Sequence, residues 1–191
     1  MSIVRLDLGG APKRPGALKL DRVPSHDTDV LATLEGGLPF GDDSVDEVFA
    51  GYSLEHAADF VGALEDLWRV SKPGALIHIH LPHATSPWAG SRDPRHQRQY
   101  TIETFEYFDP GRRDPECSSA ASFEIEQARL YLTSRRGGGR GRGIARGTVS
   151  RIFETLANRD RGMQYRWERW LGNVIGFEEF YVLLTVVKAG A

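Results

Sequence analysis

Short apolar runs alternate with turns along the front half of the chain, and one longer segment has helical spacing. Residues 3–8, 17–20, 30–33 and 46–52 are predicted to be the first four strands. Within residues 57–70, apolar side chains recur every three or four positions, at Phe60, Leu64, Leu67 and Trp68. This spacing predicts a helix with one apolar face. Pro73 and Gly74 are predicted to end that helix, because proline cannot continue it, and residues 75–81 form the fifth predicted strand.

The order of these elements predicts an α/β fold with a Rossmann-like, mostly parallel sheet. Parallel strands need crossover connections, and ligands of such sheets bind beyond the carboxyl ends of the strands. Residues 11–16 contain two prolines and are too few for a full crossover helix, so the first crossover helix is predicted to be trimmed. Near the carboxyl terminus, residues 122–133 alternate in polarity and residues 179–187 are rich in β-formers. These two segments are predicted to form an antiparallel strand pair.

The remaining back half combines helices with one segment of low complexity. Residues 101–108, 148–158 and 165–174 are predicted to be helical. Trp167 and Trp170 are spaced to share one helical face and are predicted to cover the core. Residues 134–147 consist largely of arginine and glycine and cannot bury a core, so they are predicted to be a flexible loop.

The composition is that of an ordinary globular domain and bounds the class of protein. Its 191 residues, 40% of them hydrophobic, leave room for one domain, with a cofactor-binding half at residues 1–82 and a substrate-facing half at 83–191. The longest apolar stretches are too short to cross a membrane, so no membrane partner is expected. The amino terminus lacks the regions of a signal peptide, and the single cysteine, Cys117, cannot form an internal disulfide. A cytoplasmic location is therefore expected.

Charge is unevenly distributed, although the net charge is only −2. Acidic residues dominate residues 21–66, and arginine dominates residues 129–169. A basic stretch of this kind is either a solvated surface or the contact for an anionic partner.

Motifs that bear on chemistry follow one another along the front half. They are LDLGG at residues 6–10, Asp21 after the second strand, LPFGDDSVDEV at 38–48, LEH at 54–56 and WRVSKPG at 68–74. Paired glycines let a ligand approach the backbone, and a carboxylate after the second strand can accept hydrogen bonds from both hydroxyls of a ribose. As an ordered set, these motifs resemble the class I S-adenosylmethionine-dependent methyltransferases, in particular a short, type-11-like methyltransferase domain, over roughly residues 4–82.

The resemblance implies S-adenosylmethionine as the cofactor and assigns a set of residues to it. By position in the motifs, these are Asp7, Gly9 and Gly10 at the methionine end, Asp21 at the ribose, Thr33 and Leu34 at the adenine, and Tyr52, Ser53 and His56 near the sulfonium. Two positions depart from the family pattern. Ala11 replaces a further glycine, and Thr33 stands where many relatives place an acid.

Three histidines are the candidate catalytic residues. Methyl transfer from a sulfonium is a direct displacement that needs alignment in a water-poor pocket and no covalent residue. A general base helps when the acceptor is a hydroxyl or an amine, and His83, His56 and His96 are the candidate bases. His83 is placed first, because it follows the fifth strand at the edge where the sheet binds ligands. His83, Asp93 and His96 match no standard zinc spacing, so no metal site is predicted.

The predicted function is methyl transfer to an oxygen or nitrogen of a small-molecule or glycan-precursor acceptor, and the arginine-rich stretch suits an anionic acceptor. Two alternatives stay open. One is a non-catalytic cofactor-binding subunit, favoured by Ala11, Thr33 and the trimmed crossover. The other is a nucleic-acid-directed methyltransferase that contacts phosphates through residues 134–147. An NAD-dependent enzyme is disfavoured, because Gly9 and Gly10 lack the full dinucleotide-binding spacing.

Overall fold

A seven-stranded sheet forms the centre of the protein, with the strand order β3-β2-β1-β4-β5-β7-β6. The structure is a computed structural model, and it describes residues 3–9, 13–86, 89, 93–112, 119–132 and 144–188. The strands are β1 (Arg5–Leu8), β2 (Leu18–Asp21), β3 (Val30–Leu31), β4 (Val45–Gly51), β5 (Ser71–Pro82), β6 (Phe123–Tyr131) and β7 (Glu179–Val186). Strands β1 to β5 pair in parallel, and β7 runs antiparallel to both β5 and β6. The predicted mixed sheet with an antiparallel carboxyl-terminal pair is confirmed.

The helices are short apart from two. They are a 3-10 turn (Leu54–His56), α1 (Phe60–Val70), α2 (Glu103–Glu106), α3 (Ile144–Ala157), α4 (Arg161–Arg166), a π-helical turn (Trp167–Leu171) and α5 (Gly172–Ile175). No helix in the described part of the chain is both long and apolar enough to cross a membrane. Between β1 and β2, the described residues 13–17 contain no helix, as Pro12 and Pro15 predict.

Helix α1 begins three residues later than its apolar pattern predicts, because a side chain caps it. The Asp59 carboxylate accepts a hydrogen bond from the Gly62 N–H at 2.9 Å, which satisfies one of the free amide groups of the first turn. At the other end, β5 starts at Ser71 instead of after Gly74. The extra residues bulge out between the Val45–Ser71 and Glu47–Leu76 pairs, so the sheet continues past them.

The core lies on the face of the sheet that α1 covers. Leu64 and Leu67 of α1 are fully buried together with Ile77 and Ile79 of β5. Aromatic side chains from the back half extend this core, with Phe105, Phe108, Phe123, Phe177 and Phe180 all fully buried. Burial of these aromatic groups ties the back half to the sheet.

The region predicted as one helix over residues 165–174 differs in structure. It spans the end of α4, the π-helical turn and α5, and it ends at Gly176, whose φ is 72°. Trp167 is buried, as predicted, but Trp170 is 73% exposed, so the prediction that both cover the core is wrong for Trp170. A π turn spreads residues over a different angle from an α turn, which separates two side chains spaced three apart.

Part of the predicted flexible loop is helical. Residues 133–143, with most of the arginine–glycine segment, lie outside the described residues, as does Cys117. Residues 144–147, by contrast, form the first turn of α3. The loop prediction is corrected there, because the helix that was predicted from Thr148 extends one turn further towards the amino terminus.

Candidate functional site

An open cleft lies at the carboxyl ends of β1, β2 and β4. It lies at the edge where ligands of such sheets bind. Of the residues assigned to the cofactor from sequence, those that line the cleft are Gly9, Asp21, Thr33, Leu34, Tyr52, Ser53 and His56. Asp7 is not among the lining residues, and Gly10 lies outside the described part of the chain.

Gly9 forms the floor of the cleft. Its φ is 65°, in the left-handed region that favours glycine, and its N–H donates to the Leu20 carbonyl at 2.9 Å. A Cβ at this position would lie 3.5 Å from the Ser53 Cβ. The Ser53 hydroxyl oxygen is buried and has no hydrogen-bond partner among the described residues. Gly9 and Ser53 therefore lie side by side in the lining of the cleft.

The acidic and hydroxyl side chains of the cleft differ in the hydrogen bonds that they make within the protein. Asp21 ends β2, and one of its carboxylate oxygens accepts from the Val23 N–H at 3.1 Å. The Thr33 hydroxyl oxygen accepts from the Gly36 N–H at 3.0 Å, so it shapes a turn beside the cleft. Glu35 also lines the cleft. The sequence reasoning missed Glu35, although its place two residues after Thr33 was the available signal.

Asp7 has a structural position instead of a place in the cleft. It lies on β1 between the buried residues Leu6 and Leu8, and strand alternation points it to the opposite face. Its carboxylate accepts from the Arg14 N–H at 2.9 Å, which anchors the connection to β2. Burial raises the pKa of Asp7 above its ordinary value.

Tyr52 turns the chain sharply at the end of β4. Its φ is 56°, an uncommon value for a residue with a side chain, and its N–H donates to the His80 carbonyl at 2.9 Å. The Tyr52 ring stacks on the His80 ring with centroids 5.1 Å apart. This turn leads into the 3-10 turn that carries Glu55 and His56.

A cluster of Glu55, His56 and His96 lies at the cleft wall. The rings of His56 and His96 have centroids 5.0 Å apart, and the Glu55 side chain is buried. The segment that carries His96 is tied to this wall, because the Gln97 N–H donates to the Glu55 carbonyl at 2.9 Å. Burial, together with the neighbouring His96, lowers the pKa of His56 below its ordinary value.

His83 lies apart from this cluster. It follows β5 as predicted, but its side chain is 1% exposed and it does not line the cleft. Its Nε2 lies 2.9 Å from a Glu168 carboxylate oxygen, and its Nδ1 lies 2.8 Å from the Thr85 hydroxyl. Among the three predicted bases, His56 lines the cleft, His96 packs against His56, and His83 is enclosed with Glu168.

A methyltransferase-domain family model matches the front half of the chain. Residues 14–79, about a third of the chain, match the family model described as a methyltransferase domain. A comparison with curated proteins gives no match.

Solved structures of low sequence identity share the fold. A chain of the Haloferax volcanii complex between the Trm112 methyltransferase activator and a candidate methyltransferase is 16% identical, with a TM-score of 0.56 over 97% of this chain and 83% of that chain. The YcgJ protein of Bacillus subtilis is 18% identical, with a TM-score of 0.54 over 98% and 93% of the two chains. An S-adenosylmethionine-dependent methyltransferase of Archaeoglobus fulgidus is 15% identical, with a TM-score of 0.51 over 96% and 86%.

Proposed function

We propose that this chain is a class I S-adenosylmethionine-dependent methyltransferase and that it methylates an oxygen or nitrogen of a small-molecule or glycan-precursor acceptor. The methyltransferase-domain match over residues 14–79 and the shared fold of solved methyltransferases support this. The observation that carries this proposal is the cleft itself. It joins a glycine floor at the end of β1, a carboxylate at the end of β2 and an imidazole after β4.

The residues present fit the cofactor of the family. The cleft combines apolar residues with a few polar groups, as natural small-molecule sites do. Gly9 and Ser53 both line the cleft, the Ser53 hydroxyl has no hydrogen-bond partner among the described residues, and a Cβ on Gly9 would contact the Ser53 Cβ. Asp21, Thr33 and Leu34 all line the cleft. In this proposal the Asp21 carboxylate accepts from two ribose hydroxyls, and Thr33 and Leu34 flank the adenine.

In the reaction that we propose, bound S-adenosylmethionine supplies an electrophilic methyl group on a sulfonium. The chain supplies binding and alignment, which direct displacement chiefly requires. Asp21 holds the ribose, and Gly9 leaves room for the methionine end. Tyr52 and Ser53 form the wall that keeps water from the reacting groups.

The acceptor would bind on the side of the cleft where His56 lies. A hydroxyl or amine acceptor must lose a proton on methylation, and His56, with His96 packed behind it, is the group positioned to receive that proton. His83 does not suit this role, because both of its ring nitrogens already have partners.

Calorimetry with S-adenosylhomocysteine tests the cofactor site. We expect micromolar binding, about −7 to −8 kcal/mol, with NAD giving no heat. Absence of binding at millimolar S-adenosylhomocysteine would overturn the proposal.

Labelled methyl groups then test the acceptor class. The protein is incubated with methyl-labelled S-adenosylmethionine and with small hydroxyl or amine acceptors, both neutral and anionic. Parallel reactions contain RNA or duplex DNA. Label on a small acceptor supports the proposal, whereas label on nucleic acid alone would replace it with the nucleic-acid alternative. Cofactor binding without any transfer would favour the non-catalytic alternative.

A further inference from the structure

We infer that Glu55, His56 and His96 form a binding site for one divalent transition-metal ion at the acceptor side of the cleft. One donor atom from each residue lies within 4.8 Å of a donor atom of each of the others. Metal binding itself is independent of the proposed function, and only the role given to the metal below rests on it.

The His56 ring offers a nitrogen for a metal ion. Its Nδ1 is buried and has no hydrogen-bond partner among the described residues. A ring nitrogen of a neutral imidazole can bind a metal ion through its lone pair. A buried ring nitrogen that no described protein group engages is therefore available as a ligand.

His96 has one ring nitrogen beside a backbone carbonyl. Its Nδ1 lies 3.2 Å from the Ala89 carbonyl oxygen, to which it can donate. Its Nε2 is then left with the lone pair, 4.0 Å from a carboxylate oxygen of Asp93. Metal-binding histidines commonly donate their other N–H to a backbone carbonyl, which fixes the tautomer and the ring orientation. His96 meets this condition.

Glu55 supplies the charge that a cation requires. Its side chain is 1% exposed, and the 3-10 turn Leu54–His56 places it next to His56 in sequence. A divalent ion would offset the charge of this buried carboxylate. The Gln97 N–H, bonded to the Glu55 carbonyl at 2.9 Å, holds the segment bearing His96 against the turn. The protein backbone therefore brings the three groups together without a metal.

The donor types identify the class of metal. Two imidazoles and one carboxylate suit zinc, iron(II), cobalt(II) or nickel(II), whereas magnesium and calcium prefer oxygen ligands alone. Metal bonds of roughly 2.0–2.2 Å put ligand atoms about 3–3.5 Å apart. Donors within 4.8 Å need only small side-chain rotations to reach that separation. This set differs from His83, Asp93 and His96, because His83 is paired with Glu168.

Three protein ligands leave coordination positions open, as in catalytic zinc sites. His56 lines the cleft, so an open position there would face the acceptor. With the ion bound, His56 is a ligand and would not act as the base. The ion would hold an acceptor that offers a hydroxyl beside a second oxygen and would favour loss of the hydroxyl proton to solvent. The inferred substrate class is therefore an oxygen-chelating small molecule.

The test is metal binding by the full, untagged chain after treatment with EDTA. Calorimetry with zinc and visible absorption with cobalt(II) are compared for wild type, His56→Ala, His96→Ala, Glu55→Gln and His26→Ala. His26 is an exposed histidine and serves as the matched control. We expect one ion per chain for wild type and His26→Ala, and at least tenfold weaker binding for the three cluster variants. Circular dichroism shows whether each variant is folded, and His56→Gln and His96→Asn replace any that is not.

No wild-type binding, or undiminished binding by folded His56 and His96 variants, would overturn the inference. The same samples are titrated with S-adenosylhomocysteine in EDTA. Binding of the nucleoside without metal binding would leave the proposed function standing and remove the metal site. Metal binding without nucleoside binding would leave the metal site standing and overturn the proposed function.

Discussion

The imidazole of His83 lies 2.9 Å from the carboxylate of Glu168, and the two side chains are only 1% and 7% exposed. The same Glu168 oxygen accepts from the Ile102 N–H at 3.0 Å. The His83 Nδ1 contacts the Thr85 hydroxyl, which in turn accepts from the Phe177 N–H at 2.9 Å. This buried network joins the end of β5, the start of α2 and the π-helical turn. The pair therefore holds the back half of the protein onto the sheet.

Removal of this pair should cost stability and spare the cofactor site. His83→Ala removes one of the two groups bonded to the buried Glu168 carboxylate oxygen, so we expect the free energy of unfolding to fall by about 2–3 kcal/mol. Urea denaturation measures that loss, and calorimetry should find S-adenosylhomocysteine affinity within twofold of wild type. His26→Ala, at an exposed position, is the control and should change neither quantity. A His83→Ala protein of wild-type stability that has lost turnover would restore His83 as the base.

Alanine variants of Gly9 and Gly16 distinguish a direct effect on ligand binding from an effect of backbone strain. Both have positive φ, at 65° and 77°, so alanine at either position should cost roughly 1–2 kcal/mol of stability. Only at Gly9 would the added Cβ face Ser53, whereas nothing lies within 4 Å of it at Gly16. We expect Gly9→Ala to weaken S-adenosylhomocysteine binding at least tenfold and Gly16→Ala to leave it unchanged. Equal affinities for the two variants would show that Gly9 does not line the cofactor site.

Asp21 is the predicted ribose ligand and can be tested by charge removal. We expect Asp21→Ala to weaken S-adenosylhomocysteine binding by about 1.5–3 kcal/mol, the scale of a lost hydrogen bond to a charged group. Calorimetry measures this change. Glu124→Gln, at an exposed position, is the control for loss of one acidic charge. Wild-type affinity in a folded Asp21→Ala protein would contradict the ribose assignment.

Acid should weaken the protein through Asp27. Hydrogen bonds from the Ser25 hydroxyl and the Lys19 ammonium lower the pKa of Asp27 to about 2. Its unfolded-state pKa is about 3.9, so its stabilising effect is complete above that pH and is lost as the pH falls to about 2. We expect Asp27→Asn to melt at a lower temperature than wild type at pH 6.

The difference in melting temperature should close as the pH falls from about 4 to about 2, because wild-type Asp27 is then protonated. Thermal melts across this window check the prediction, and Glu124→Gln should follow wild type throughout. A gap that stays constant down to the lowest pH would show that the Asp27 charge is not the cause.

The sequence by itself determined the order of the sheet elements, the amphipathic helix α1 and the cofactor family. These features depend on neighbouring residues: alternation sets a strand, three- and four-residue spacing sets a helix, and glycine permits the positive φ at Gly9. Motifs in fixed order after successive parallel strands must meet at one sheet edge. This is why seven of the residues assigned to the cofactor, Asp21 and His56 among them, line one cleft.

Only the tertiary structure decided which histidine has which surroundings. His83 and Glu168 are 85 positions apart, and no local pattern marks them as partners. Glu55, His56 and His96 come together because a backbone hydrogen bond ties two segments that are separated in sequence. Asp7 lies within the glycine motif, but strand alternation turns it from the cleft towards the Arg14 backbone. The partners of each of these side chains depend on contacts between residues far apart in the sequence, and the spacing of residues along the chain does not predict such contacts.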